Sequence, residues 1–251
     1  MMLNILAWLL LPLLSLASPL ASSPLDDQLI SRKNYTLSYN EEHEVANWVA
    51  YPLGLAQMRS CVSRANSFKV DPLITTGSAT LLDYKNSGYD RGHLLAAGDM
   101  KFDKEAMKDT FFMSNMTPQP AKFNRGRWGM LENLVRAWAI KYEKIWIVTG
   151  PVLKQNLPQI GYSKVSIPFE YFKAIIRLEG NSYKGIAFLM NTDVPYPDLN
   201  TYSLSINQVE DISGVDFFPF LSDEIEEEIE SEMNLNDWDF KAKFNYLPCL
   251  I

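Results

Sequence analysis

Tyr89-Asp90-Arg91-Gly92-His93 and, further along, Phe123-Asn124-Arg125-Gly126-Arg127-Trp128-Gly129-Met130-Leu131-Glu132-Asn133-Leu134-Val135-Arg136 form the stretch from which the rest of the chain can be read. Asn86-Ser87-Gly88, just before the tetrapeptide Asp90–His93, is a turn signal. Phe123 to Tyr142 carries an apolar stripe of Trp128, Leu131, Leu134, Val135, Trp138 and Tyr142, which predicts a helix. Asn124, Trp128, Glu132 and Arg136 recur at steps of four, so they drift slowly around one side of it.

Working outward, Val45 to Tyr51, Ser60 to Phe68 and Phe111 to Met116 read as strands, and Lys104 to Asp109 as a short helix. Ile145 to Val152, Val165 to Leu178 (interrupted by Pro168) and Tyr183 to Met190 are three further strands. Ser205 to Ile212 and Asp223 to Met233 read as helices, the second with acidic residues at its start, where the helix dipole favours them. Ile5 to Leu16 is apolar apart from Ser15 and falls short of the roughly 20 residues that span a bilayer, so residues 1–17 read as a secretory signal. Residues 18–34 are expected to be a linker, 35–235 a single domain and 236–251 a tail. A secreted or periplasmic location follows, with no stable membrane association once the signal is removed.

The formal net charge of −7 is unevenly placed. Residues 210–239 hold twelve acidic residues and no Lys or Arg, which leaves 23 basic against 18 acidic residues elsewhere. A polyanionic partner is therefore compatible with the overall charge, and the acidic run reads as a solvated helix face. Cys61 and Cys249 are too few for a disulfide scaffold, but in an oxidising compartment they can pair and tie the C-terminus to the early chain. Two histidines, His43 and His93, with two distant cysteines give no structural zinc spacing. His43, among Glu41, Glu42 and Glu44, reads as a surface residue.

The central stretch holds one candidate for each task in opening a phosphodiester: activating water, neutralising phosphoryl oxygens and stabilising the leaving group. His93 is the candidate base, since an ordinary imidazole titrates near about 6.5; activity would then fall as acid protonates it. Asn124 can offer an amide oxygen to a hydrated Mg²⁺ (Mn²⁺ being the alternative), and Glu132 can hold the ion's waters. Arg91 and Arg136 are positive forks for phosphate. Each residue also has a plainer reading. Asn124 can cap a helix, Glu132 can pair with Arg136 at i, i+4, and His93 can be a core histidine bonded to a carbonyl.

Asp90-Arg91-Gly92-His93, then Ser114-Asn115-Met116-Thr117-Pro118-Gln119, then Asn124 through Trp128 to Glu132, resembles the DNA/RNA non-specific endonuclease family. Val148-Thr149-Gly150-Pro151 and Val209-Glu210-Asp211-Ile212-Ser213-Gly214 are similar to family segments in family order, and the likeness spans roughly Asn47 to Phe220. The resemblance implies a single-domain α+β fold of the ββα-metal kind, with a mostly antiparallel central sheet flanked by helices. It implies His93 as general base, Asn124 as direct Mg²⁺ ligand, Glu132 as its water-holding partner, and Arg91, Asn115 and Arg136 as phosphate or transition-state contacts. Arg64 lies where some members carry another arginine, and Arg125 stands where the family often has Gln. Arg64, Arg125, Arg127 and Lys122 are the expected substrate contacts, DNA and RNA the expected partners, and a homodimer an expected assembly. Two alternatives stand beside this reading: a non-catalytic nucleic-acid binder on the same fold, and a phosphodiesterase for small or lipid substrates. The first has no need of the His93, Asn124 and Glu132 set.

Overall fold

A computed structural model describes residues 20–24, 28–193 and 198–250. The expected signal segment 1–17 lies outside the described residues. Strand alternation organises the whole molecule. In Lys144–Pro151, Ile145 and Ile147 join one apolar cluster while Trp146 and Val148 join another. In Glu170–Glu179, Tyr171 and Ile175 go with the first, and Phe172, Ala174 and Ile176 with the second. Successive side chains of a strand point to opposite sides, so a sheet with apolar residues on both faces must be covered on both.

The sheet has seven strands in the spatial order Ser203–Leu204, Ser182–Asn191, Glu170–Glu179, Lys144–Pro151, Val45–Gly54, Thr36–Asn40 and Gln28–Ser31. Every adjacent pair is antiparallel. The helix Gly129–Lys141 covers one face through Leu131, Leu134, Val135 and Trp138. Ile206 and Val209 of Ile206–Ser213 and Ile229 of Asp223–Ser231 cover the other. The result is an α+β domain of three layers, as expected. On the helix side a separate two-stranded hairpin pairs Asp90–His93 with Met116–Gln119. Gly92 is required there, because a Cβ would run into the side chain of Gln119.

Several segments differ from the sequence reading for local reasons. The expected strand 60–68 is irregular beyond Arg59–Ser60, because the Cys61 and Val62 amides both donate to the Lys101 carbonyl instead of to a ladder. The expected strand Phe111–Met116 is reduced to a bridge of Phe112 with Lys69 and a tight turn at Met113–Asn115, and the paired strand begins at Met116. The described part of the expected linker is paired: Ala21–Ser22 with Asp216–Phe217, and Gln28–Ser31 as the sheet's edge. The expected tail packs on the domain, with Trp238 buried against Trp138 at 4.7 Å between ring centroids. His43 is not a surface residue: it is 7% exposed, and its Nδ1 lies 2.9 Å from the Ser166 hydroxyl. Cys61 and Cys249 form a disulfide. Among the described residues no helix is long and apolar enough to cross a membrane.

Candidate active site

The hairpin and the long helix enclose a cleft of about 490 Å³ lined by Arg64, Arg91, His93, Asn124, Glu132 and Arg136, among others. Residues far apart in sequence meet there for identifiable reasons. Asp90–His93 is pinned by its pairing with Met116–Gln119, which sets the level of His93. Helical chain starts at Ala121 and widens to a π-type turn over Asn124–Trp128, where Gly126 leaves helical geometry at φ −100 and ψ −111. Across that kink Trp128 turns fully into the core while Asn124 and Glu132 keep to the cleft. The step of four noted in the sequence is therefore broken at Trp128.

Asn124 is not a helix N-cap, since that position is Pro120 and Asn124 closes the short helical turn Ala121–Phe123 at its C-terminal end. Its amide nitrogen donates to Asp90 Oδ2 at 2.9 Å. A carboxylate accepts and cannot donate, so this bond fixes which end of the amide is nitrogen and turns the carbonyl oxygen the other way. Asp90 also accepts two bonds from Arg125, at 2.8 and 2.6 Å. Burial works against the Asp90 charge, yet the bonds from Arg125 and Asn124 hold its carboxyl below the usual range. Arg125 lines the cleft, but its fork is committed to Asp90.

His93 is 7% exposed and wedged between aromatic rings, 4.9 Å from Phe111 and 5.8 Å from Phe68. Its Nε2 is enclosed and has no hydrogen-bond partner among the described residues. Burial first, and then the charges of Arg64 and Arg91, push the imidazole down to about 3. Burial and the two arginines thus favour the neutral imidazole, a direction below the ordinary value near 6.5 taken from the sequence. The same two rings carry the arginines, Arg91 lying 4.2 Å over Phe68 and Arg64 5.0 Å over Phe111. Among the described residues Arg91 has no ion-pair partner.

Beneath the cleft lies a quartet of buried charges. Arg136 donates from Nε to Asp99 Oδ1 at 2.6 Å and from Nη2 to Glu132 Oε2 at 3.2 Å. Tyr51 donates its hydroxyl to the other Asp99 oxygen at 2.8 Å. Lys173 sits 4.9 Å over the Trp128 ring, and burial lowers its pKa to about 8 against the attraction of Glu132 and Asp99. Burial likewise raises the Glu132 carboxyl, with Arg136 opposing. The i, i+4 pairing of Glu132 with Arg136 and their place in the cleft hold together.

Not every expected residue reaches the site. Asn115 is fully buried: it donates to the carbonyls of Leu95 and Thr110 and accepts from the Leu95 amide, so it clamps the loop behind His93 instead of facing phosphate. Lys122 and Arg127 do not line the cleft; Arg127 reaches the Met130 sulfur at 3.7 Å. Asp99 and Lys173 were missed. A readable signal existed for each: Asp99 is a carboxylate beside Ala96-Ala97-Gly98, and Lys173 falls in phase with the buried Tyr171 and Ile175.

The donor set suits a hard, water-rich ion. Among the described residues no three His, Cys, Asp or Glu side chains cluster as metal ligands. One amide oxygen with a carboxylate about two turns along the helix fits a divalent ion that keeps most of its waters.

A model of the DNA/RNA non-specific endonuclease family matches residues 16–224. A nuclease of Nostoc sp. is 32% identical over 230 residues, covering 87% of this chain and 82% of the relative. Human mitochondrial nuclease EXOG is 32% identical over 209 residues, which is 75% of this chain but only 56% of the longer relative. Human mitochondrial endonuclease G is 30% identical over 207 residues, covering 76% and 70%. In structure, the chain is similar to one in a crystal structure of the EndoG/EndoGI complex, with a TM-score of 0.71, 28% identity, and coverage of 78% and 88%.

Proposed function

The chain belongs to the DNA/RNA non-specific endonuclease family and is a nucleic-acid-hydrolysing enzyme, and from that premise we propose an exported, Mg²⁺-dependent endonuclease that cuts DNA and RNA with little sequence preference. The observation that carries this reading is the convergence of His93, Asn124 and Glu132 on one cleft walled by arginines.

In the proposed mechanism His93 accepts a proton from the attacking water. Burial and the arginines beside it favour its base form. Arg91 and Arg64, stacked on Phe68 and Phe111, neutralise the phosphate oxygens. Stacking holds each guanidinium in place without a carboxylate that a phosphate would have to displace. The Asn124 carbonyl oxygen and, through waters, Glu132 would hold the ion, which when bound supplies positive charge to the phosphate and the departing 3′-oxygen. Arg136 holds the Glu132 carboxylate in place, and Asp99 and Tyr51 hold Arg136. Export is supported by the Cys61–Cys249 bond, which persists in oxidising compartments.

The test is to incubate the purified chain with plasmid and with RNA, with and without a metal chelator. Both polymers should be degraded, and chelator should stop it. Degradation that survives the chelator removes the metal from the mechanism. An intact plasmid and intact RNA would favour the binding protein or the small-substrate phosphodiesterase.

A further inference from the structure

The family match ends at residue 224, yet the last stretch of chain returns to the cleft. As far as Phe240 this return is anchored on the long helix: the Trp138 indole donates to the Asp239 carbonyl at 2.8 Å, and Phe240 meets Trp138 edge-on at 5.4 Å. Beyond it, residues 241–250 run as a strap whose attachments converge on one short turn of the cleft wall, Ala97–Met100. Tyr246 donates its hydroxyl to the Gly98 carbonyl at 2.9 Å, and Lys101, directly after the turn, places its ammonium 4.4 Å over the Tyr246 ring. Phe244 packs edge-on against Tyr246 at 4.5 Å and lies 5.7 Å from the Arg136 guanidinium.

The strap's far end is fixed to the same turn by another route. Leu247–Pro248 pairs with Arg59–Ser60, and Arg59 donates to the Pro248 carbonyl at 3.0 Å. Cys249 is bonded to Cys61, whose amide donates to the carbonyl of Lys101 at 2.9 Å. The clearance is small: a Cβ on Gly98 would stand 2.6 Å from Arg136 Nη2 and 2.9 Å from the Tyr246 hydroxyl. The turn carries Asp99, the partner of Arg136, and Arg136 holds Glu132.

We propose that residues 241–250 are a positioning strap for the active site: through Tyr246 and Phe244 they hold the Ala97–Met100 turn and Arg136 in register, and the Cys61–Cys249 bond keeps them seated. The strap touches no substrate; it acts through Asp99, Arg136 and Glu132, and to that extent rests on the functional reading above. A dithiol reductant opens it. One reductant thiolate attacks a protein sulfur, and the second closes the reductant's own disulfide. Two electrons pass to the protein, and both cysteines leave as protonated thiols.

The test uses the full chain in three forms: oxidised; reduced with dithiothreitol and alkylated; and Tyr246→Phe with the disulfide intact. Hydrogen exchange is followed at amides 97–101 and at the central strand Lys144–Pro151, together with the Mg²⁺ concentration giving half-maximal plasmid cleavage. Opening the bond should speed exchange at 97–101, leave 144–151 protected, and raise the Mg²⁺ midpoint about tenfold, as for loss of an outer-shell partner. Tyr246→Phe should move both readouts the same way by less. A merely destabilised domain would lose amplitude at an unchanged midpoint. Wild-type exchange and midpoint in both altered forms overturn the strap, and so does equal deprotection of 144–151 and 97–101. If the oxidised wild type cuts no plasmid, the functional reading fails, while the exchange measurement still decides the strap.

Discussion

On the cleft face of the sheet, Asp99 and Glu132 are enclosed together with Arg136 and Lys173; on the opposite face, Glu210 and Glu230 are enclosed among acids. Glu230 is 3% exposed with Oε1 unpartnered, and the groups acting on it are Glu210, Glu226, Asp216 and Glu227. Burial, reinforced by those neighbours, raises Glu230 to about 9 and Glu210 to about 7. Removing carboxylates from water has one of two outcomes: a base compensates the charge, or a proton does. The cleft face has alternating signs and can present a charged carboxylate to an ion. The back face has one sign, and there burial and the neighbouring acids favour the protonated form of Glu230.

The contrast breaks first at the chemistry. His93→Ala should lower plasmid cleavage about 10²–10⁴-fold while leaving the far-UV spectrum and nucleic-acid affinity intact, the range for losing a positioned base. A variant that cuts near the wild-type rate means the base lies elsewhere. Next comes the quartet: Asp99→Ala leaves a guanidinium of 8% side-chain exposure with Glu132 as its one remaining ion-pair partner among the described residues. Breaking such a pair costs about 3 kcal/mol, the low end of the usual range because one partner remains. Urea unfolding measures it, and a loss below about 1 kcal/mol would show the pair to be solvated.

The smallest effect belongs to the back face. The folded Glu230 carboxyl is raised from 4.5 to about 9, so the folded chain keeps a proton that the unfolded chain releases between those values. Its stabilising contribution is therefore complete below about 4.5 and fades as pH rises through 9. Glu230→Gln should flatten the fall in urea midpoint between pH 5 and 9, and an unchanged slope would mean that Glu230 is charged in the folded protein.

What the sequence disclosed follows the range of the forces involved. Strands 144–151 and 170–179 and the long helix were readable because their periodicity is local. His93, Asn124, Glu132, Arg91, Arg64 and Arg136 were readable as cleft residues. Their supports were not, because Tyr51 reaches Asp99 across 48 positions and Tyr246 reaches Gly98 across 148. Asn115 was misplaced since an amide that clamps a loop and one that faces phosphate look alike in sequence. The acidic helix Asp223–Ser231 was read as solvated; Glu224, Glu227 and Glu228 are exposed, and Glu230 is not.

The bond between Cys61 and Cys249, 188 positions apart, also closes most of the domain into a covalent ring. The turn at Tyr162, 99% exposed, lies inside that ring. A protease that nicks it there liberates no fragment, and the halves bearing His93 and Lys173 stay tethered with every hydrogen bond of the sheet still available to hold them.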